Sequence, residues 1–233
     1  MSSAKLGLES YNTISKSFSI LTDMIFDRMP LELVALDLGG TLYDRDPLHV
    51  ESVCISLGIV DQNEKKYVDK LVRRALIEGG SSEKFVTEVI TSLNLNINPD
   101  YAIEKKRKIL RDLQFRCKLT LPPTIMMAKL LESTNIAIVS QGAMSESEEL
   151  IIRSFKENGV ELPSTYTLTY YGRRHDNEIV SKGDSLSSAI SNVSVNHTVF
   201  IGDSEADENA AKHVGCPFIK FEPFRSMRLI HGA

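Results

Sequence analysis

Residues 31–44 read LELVALDLGGTLYD, and this stretch decides the fold. A nearly continuous apolar run from Leu31 to Leu38 stops at Gly39 and Gly40. A short apolar run that ends in a glycine turn is typical of a strand buried within a parallel sheet. The stretch therefore predicts a buried strand whose carboxyl end carries Asp37.

The rest of the chain repeats this pattern and alternates it with helical periodicity. Apolar runs predict strands at 136–139 and 199–201, with weaker candidates at 166–171 and 218–221. Helical spacing predicts helices at 126–132, 145–158, 184–192 and 205–214. Alternating strands and helices predict an α/β fold with a doubly wound parallel sheet.

Two segments stand outside this alternation. Residues 47–119 show helical spacing without a strand, with breaks at Gly79-Gly80 and Asn94–Pro99, so they predict an all-helical insertion into a core of residues 31–46 and 120–233. Residues 1–30 predict an amphipathic helical extension, because apolar side chains recur at Tyr11, Ile14, Phe18, Leu21 and Ile25. This helix packs on the domain or, as alternatives, forms an oligomer contact or lies on a membrane surface.

Composition narrows the function classes. The 233 residues carry 27 basic and 31 acidic side chains, a formal charge of -4, which disfavours nucleic-acid binding. Charged residues interrupt the first thirty positions, which excludes a membrane span there. Three distant cysteines predict neither a disulfide framework nor a zinc cluster, so a reducing cytoplasm is expected.

Three polar residues lie at or just after the predicted strand ends: Asp37, Ser140 and Asp203. Ligands of open parallel sheets bind beyond the carboxyl ends of the strands, so these residues are the candidates for a site. Each could instead cap the structure that follows it. Asp37 and Asp203 offer the hard oxygen ligands that Mg2+ prefers.

These positions carry, in order, four motifs. They are DLGGTLYD at 37–44, IAIVSQG at 136–142, Lys182, and GDSEAD at 202–207. The chain thereby resembles the haloacid dehalogenase-like (HAD) hydrolase superfamily over residues 33–221, in its phosphatase-like branch. The helical insertion lies where that family has its type 1 cap.

The resemblance implies a Mg2+-dependent phosphatase that acts on a small phosphorylated metabolite. Asp37 would be the nucleophile that forms an aspartyl-phosphate, and the metal would be held by Asp37, Asp203 and the carbonyl of Gly39. The implied phosphate-binding groups are Thr41, Ser140, Gln141 and Lys182, with Ser140 and Lys182 also counted as catalytic. Asp207 would support the site by orienting Lys182 or a water molecule on the metal.

The sequence departs from the family at Gly39, where HAD phosphatases have an aspartate that acts as general acid and base. Asp44, Asp46 or His49 at the entry to the cap, or another cap residue, could replace it. Alternatively, the substrate is an acyl phosphate, or a phosphonate whose cleavage requires a cap lysine, or the protein is a catalytically impaired relative that binds a phosphorylated ligand or a partner. The cap lysines are Lys65, Lys66, Lys70, Lys84, Lys105, Lys106 and Lys108.

Two charged runs receive a simpler interpretation. Residues 104–108, EKKRK, predict the solvated face of a cap helix. Arg173-Arg174-His175 predicts a solvated loop, with contact to an anionic substrate as the alternative.

Overall fold

The computed structural model describes residues 3–27, 30–78, 82–114, 117, 119–175, 178 and 180–224. Contacts divide the chain into two units. The sheet unit comprises Met1–Tyr43, Lys118–Asp203 and Asp207–Ala233, and the helical unit comprises Asp44–Cys117 with Ser204–Ala206.

The sheet unit is built on a parallel five-stranded sheet, as the sequence predicts. Its strands are β1 (Leu33–Asp37), β2 (Asn135–Ala143), β3 (Leu168–Arg173), β4 (Thr198–Gly202) and β5 (Phe218–Lys220). Their order is β3-β2-β1-β4-β5, so the strand quoted above is central, and all five of its residues are buried. Asp37 lies opposite Val139, and Leu36 lies opposite Ile201. The carboxyl ends of β1, β2 and β4 therefore meet at one edge.

The N-terminal segment forms helix α1 (Ser3–Phe26), which packs against a helix of the same unit that begins at Leu121. Four apolar side chains on one of its faces are buried: Ile14, Phe18, Leu21 and Ile25. The Phe18 ring meets the Phe221 ring edge to face, with their centroids 5.0 Å apart. Tyr11 is exposed, so the buried stripe begins one turn later than the spacing predicts.

The helical unit contains α2 (Asp46–Leu57), α3 (Gln62–Ile77), α4 (Ser82–Ser92) and α5 (Pro99–Gln114). Its apolar side chains form a core of their own, which includes Val53, Val72, Phe85 and Val89. The predicted break at Asn94–Pro99 separates α4 from α5, whereas Gly79-Gly80 lies outside the described residues.

One expectation about α5 is wrong. Four residues of the 104–108 run are exposed, but Lys106 is completely buried. Lys106 lies three and four residues after the buried Ile103 and Ala102, and this spacing places it on the inward face of the helix.

The other α-helices are α6 (Leu121–Leu130), α7 (Met144–Asn158), α8 (Lys182–Ala189) and α9 (Glu205–Val214), and α9 belongs to the sheet unit from Asp207 onward. Helix α6 begins five residues before its predicted start. Pro122 and Pro123 occupy its first turn, where no intrahelical N–H is needed, and the helix therefore starts earlier than the apolar spacing predicts. No helix in the described part of the chain has the length and apolar character needed to cross a bilayer.

Candidate active site at the carboxyl edge of the sheet

Four charged side chains meet at the carboxyl edge of the sheet. Asp37 is the last residue of β1, Asp203 follows β4 directly, Lys182 is the first residue of α8, and Asp207 lies in the first turn of α9. None is more than 6% exposed. One carboxylate oxygen from each aspartate lies within 4.8 Å of the other two. Strand ends and helix starts thus gather ionisable groups that are separated by up to 170 positions in the sequence.

Lys182 and Thr41 fix the carboxylate of Asp37. The Lys182 ammonium donates to Asp37 Oδ1 at 2.6 Å and also forms an ion pair with Asp207. The Thr41 hydroxyl donates to Asp37 Oδ2 at 3.2 Å, and Thr41 is fully buried. The main chain positions Lys182, because the Ser181 hydroxyl accepts the Asp184 N–H at 3.0 Å and caps α8.

Gly40 makes room for Asp203. Its φ is +93°, a backbone conformation that residues with a Cβ rarely adopt. A Cβ built on Gly40 would lie 2.4 Å from Asp203 Oδ2 and 2.5 Å from Asp203 Cγ. The second glycine of the Gly39-Gly40 pair is therefore a requirement of this site as well as of the turn.

The donor set fits a divalent cation. Counted by residue type, three aspartates and one lysine give this buried cluster a formal charge of -2. Burying unbalanced charge is costly, and a metal ion offsets it while satisfying the carboxylate oxygens. Oxygen-only ligands at this spacing suit Mg2+.

The structure places Ser140 and Gln141 differently from the sequence expectation. Strand β2 does not end before Ser140 but continues to Ala143. The Ser140 hydroxyl accepts the Gly142 N–H at 2.9 Å, and the Gln141 carbonyl accepts a hydrogen bond from Arg173 Nε at 3.1 Å. The contacts above bring together Asp37, Thr41, Lys182, Asp203 and Asp207, whereas the hydrogen bonds of Ser140 and Gln141 run to their own strand end and to β3.

The Gly39 carbonyl, which the sequence predicts to be a metal ligand, belongs to the turn after β1. Gly39 forms an isolated bridge with Tyr43, and the Gly40 N–H donates to the Tyr43 carbonyl at 2.8 Å. This closed turn places Thr41 at its apex, which explains how the Thr41 hydroxyl returns to Asp37. Its role in holding a metal stays a prediction.

The residues proposed to replace the missing acid lie at the start of the helical unit. Asp44 is half-buried. Asp46 is buried, and its Oδ2 lies 3.6 Å from Arg73 Nη1 of the same unit. His49 is buried, and its Nδ1 lies 3.1 Å from Lys106 Nζ.

Burial, followed by the positive charges of Lys106 and Arg45, holds the pKa of His49 well below its usual value near 6.5. His49 is therefore neutral at pH 7. With Nδ1 accepting from the Lys106 ammonium, the hydrogen of the ring lies on Nε2. A neutral imidazole is better suited to accept a proton than to release one.

No protein-family model and no curated protein matches this sequence. Solved structures do match it. A candidate phosphatase from Clostridium difficile is 20% identical, with a TM-score of 0.63, and the match covers 82% of this chain and 84% of that one.

Two further solved structures also match this chain. A haloacid dehalogenase-like hydrolase from Streptococcus pneumoniae is 15% identical, with a TM-score of 0.57 and coverage of 87% and 91%. A candidate HAD hydrolase from Bacillus subtilis, YfnB, whose structure is bound to magnesium, is 14% identical, with a TM-score of 0.58 and coverage of 81% and 85%. The chain therefore has the HAD-like hydrolase fold, as its four motifs predict.

Proposed function

We propose that the protein is a Mg2+-dependent phosphatase that hydrolyses a small phosphorylated metabolite through an aspartyl-phosphate on Asp37. The observation that supports this most is the buried cluster of Asp37, Asp203, Asp207 and Lys182 at the carboxyl edge of the sheet. Lys182 pairs with Asp37 and Asp207, and Asp203 adds a third buried carboxylate with an oxygen within 4.8 Å of oxygens of the other two. A divalent cation would offset the formal negative charge of these aspartates, and the cation together with Lys182 would then bind the phosphate group.

Each residue of the cluster then has a defined part. Asp37 attacks phosphorus, and the bond from phosphorus to the leaving oxygen breaks as the new bond to the Asp37 carboxylate forms. Thr41 and Lys182 hold that carboxylate through its two oxygens, so one rotamer is ready for attack. Water then cleaves the aspartyl-phosphate, which releases inorganic phosphate and restores the Asp37 carboxylate.

Asp37, Asp203 and the Gly39 carbonyl would hold Mg2+, with Asp207 in support. When bound, the metal neutralises the charge repulsion between the phosphate and the carboxylate nucleophile. Lys182 places a second positive charge beside Asp37, and Ser140 and the Gln141 N–H are the proposed contacts to the remaining phosphate oxygens. The helical unit is the proposed cap that selects the substrate.

Gly39 sets the expected rate and substrate class. General acid–base assistance is worth about 10²–10⁴-fold in rate, and a glycine supplies none through its side chain. Substrates whose leaving group needs little protonation, such as acyl phosphates and aryl phosphates, should therefore be hydrolysed faster than sugar phosphates.

A substrate panel tests the proposal. Phosphate esters, acyl phosphates and phosphonates are assayed with Mg2+ for the wild type, Asp37→Asn and Gly39→Asp. Wild-type turnover that is lost in Asp37→Asn and on chelation of Mg2+ would support phosphatase activity. If the wild type does not exceed Asp37→Asn while Gly39→Asp gains activity, the binding function described next replaces it.

A catalytically impaired protein that binds a phosphorylated ligand is the competing function, and the absent carboxyl at Gly39 favours it. Such a protein would bind phosphate in a Mg2+-dependent manner without turnover. Calorimetric titration with inorganic phosphate separates this case from a protein that binds no phosphate at all.

A second candidate activity is cleavage of an aldehyde-bearing phosphonate, and one contact in the helical unit favours it. Of the seven predicted cap lysines, all of which are among the described residues, Lys106 is buried and the others are at least partly exposed. Its Nζ lies 3.1 Å from His49 Nδ1 and 5.0 Å from the ring centroid of Phe85. In its neutral form this amine would condense with an aldehyde to give an imine and water.

Borohydride reduction tests this candidate. Incubation with an aldehyde phosphonate followed by reduction should attach the carbon chain to Lys106, as mapped by peptide mass spectrometry. Lys105→Arg, at an exposed neighbouring position, is the matched control for Lys106→Arg. Equal labelling of the two variants would exclude an imine on Lys106.

A further inference from the structure

The carboxyl end of β2 has an irregular register at the residues proposed to contact phosphate. Strands β2 and β3 pair regularly up to Val139 and Tyr171, and pairing resumes at Ala143 and Arg173. Three residues of β2, Ser140 to Gly142, therefore lie opposite a single residue of β3, Gly172. We call residues 140–142 the β2 bulge.

Gly172 permits the close approach of this bulge. A Cβ built on Gly172 would lie 2.6 Å from the Gly142 carbonyl oxygen and 2.9 Å from the Ser140 carbonyl oxygen. Both distances are shorter than real Cβ contacts, and the obstacles are backbone atoms that cannot swing aside. Any side chain at position 172 would therefore push the β2 bulge away from β3.

Arg173 binds the remaining carbonyl oxygen of the β2 bulge, that of Gln141. Its Nε donates to the Gln141 oxygen at 3.1 Å. Within the bulge, the Ser140 hydroxyl accepts the Gly142 N–H at 2.9 Å. This acceptor role leaves the hydroxyl hydrogen of Ser140 available for donation.

The orientation of the carbonyls fixes the orientation of an N–H group. The Ser140 carbonyl oxygen lies close to Gly172 on β3. In a trans peptide the C=O and the next N–H point in opposite directions, so the Gln141 N–H is directed away from β3. Strand β2 lies between β3 and β1, so β1, which ends at Asp37, is on the other side of β2 from Gly172.

We infer that Gly172 and Arg173 are positioning residues that brace the β2 bulge, so that the Gln141 N–H and the Ser140 hydroxyl are presented to a phosphate group. This inference rests on the proposed function. It differs from the two interpretations of Arg173 that the sequence offers, because Arg173 ends strand β3 and donates to a carbonyl oxygen of the protein.

Two substitutions at position 173 separate the brace from a direct anion contact. Gln places an amide nitrogen the same number of bonds from Cα as Arg Nε, so Arg173→Gln keeps the donor and removes the charge. Arg173→Lys keeps the charge and has a methylene at that point. Arg173→Ala removes both, and Arg174→Ala removes an equal charge from the adjacent exposed residue as the matched control.

The first readout is calorimetric titration of the full-length protein with inorganic phosphate in the presence of Mg2+. A brace predicts affinity within about twofold of the wild type for Arg173→Gln, and a loss of about fivefold to tenfold for both Arg173→Lys and Arg173→Ala. Gly172→Ala should lose at least as much, and Arg174→Ala should not change. The opposite order, with Lys retained and Gln impaired, would identify Arg173 as an anion contact and overturn the inference.

The second readout does not depend on phosphate binding. Amide hydrogen exchange of the peptide that contains residues 140–143 should be faster in Arg173→Ala and Arg173→Lys, but not in Arg173→Gln. Unchanged exchange in all variants would overturn the brace. Phosphate binding without turnover in the wild type would contradict the phosphatase proposal alone, whereas no phosphate binding by the wild type would overturn the positioning role of the bulge.

Discussion

Gly40→Ala moves a predicted metal ligand without changing any ionisable group. The added Cβ would lie 2.4 Å from Asp203 Oδ2, and an ordinary contact needs at least 3.4 Å, so the carboxylate must retreat by about 1 Å. A displacement of this size, or a change in the groups that orient a ligand, lowers metal affinity by about 10–100-fold. The backbone of Gly40, at φ +93°, adds a strain of about 1–2 kcal/mol for alanine.

Gly159→Ala is the matched control for the backbone strain. Gly159 also has a positive φ, +65°, at the end of α7, but a Cβ there would meet no atom within 4 Å. It should lower the free energy of unfolding by about 1 kcal/mol and leave Mg2+ binding unchanged.

The assay combines calorimetric Mg2+ titration with urea unfolding of both variants. Gly40→Ala should lose stability and at least tenfold in Mg2+ affinity, whereas Gly159→Ala should lose stability alone. Wild-type Mg2+ affinity in a folded Gly40→Ala protein would refute the placement of Asp203 as a metal ligand.

Three further predictions concern buried groups. Lys182→Met leaves the Asp37 and Asp207 carboxylates without their ammonium, so the free energy of unfolding in urea should fall by about 3–5 kcal/mol. The double variant Lys182→Met/Asp207→Asn also removes one carboxylate charge and should recover part of this stability, and no recovery would contradict the ion-pair assignment. Ser185→Ala removes a buried hydroxyl that has no hydrogen-bond partner among the described residues, so urea unfolding should show unchanged or higher stability, by up to about 1 kcal/mol; a clear loss would reveal a bound water or ligand there. Burial and neighbouring positive charges hold the pKa of His49 below its usual value near 6.5, so below that pH the unfolded chain binds more protons than the folded protein. The free energy of unfolding should therefore decrease by up to about 1.4 kcal/mol per pH unit as the pH falls, until the folded-state pKa is reached. His49→Gln should flatten this part of the stability curve, and an unchanged slope would contradict the shift.

The sequence predicts the fold well because the deciding signals are local. Apolar runs that end in Asp37 and in Gly202-Asp203 identify buried parallel strands, and the helical spacing between strands requires the doubly wound arrangement. Parallel strands bring their carboxyl ends to one edge, so the meeting of Asp37 and Asp203 follows from topology. The helical segment 47–119 is equally visible, because its apolar residues recur at helical spacing without an intervening strand.

Side-chain contacts within the site are less predictable, because they depend on turn geometry and on register. Nothing in the sequence pattern indicates that Thr41 returns its hydroxyl to Asp37, since this contact requires the closed turn between Gly39 and Tyr43. The β2 bulge is likewise invisible to a period-two pattern, although Gly142 and Gly172 are the residues that signal it in retrospect. The charged run 104–108 indicates a solvated helix face, and only the spacing of Lys106 after Ala102 and Ile103 indicates its burial.

Acid-quenched peptide mass spectrometry after incubation with an acyl or aryl phosphate tests the central claim most directly. Because Gly39 offers no base for the second step, the aspartyl-phosphate should accumulate in the wild type, with the phosphoryl group on Asp37 and only when Mg2+ is present. Gly39→Asp should shorten its lifetime, and Asp37→Asn should abolish it. Turnover of the same substrate without any phosphoryl group on Asp37, or labelling that does not require Mg2+, would contradict the account.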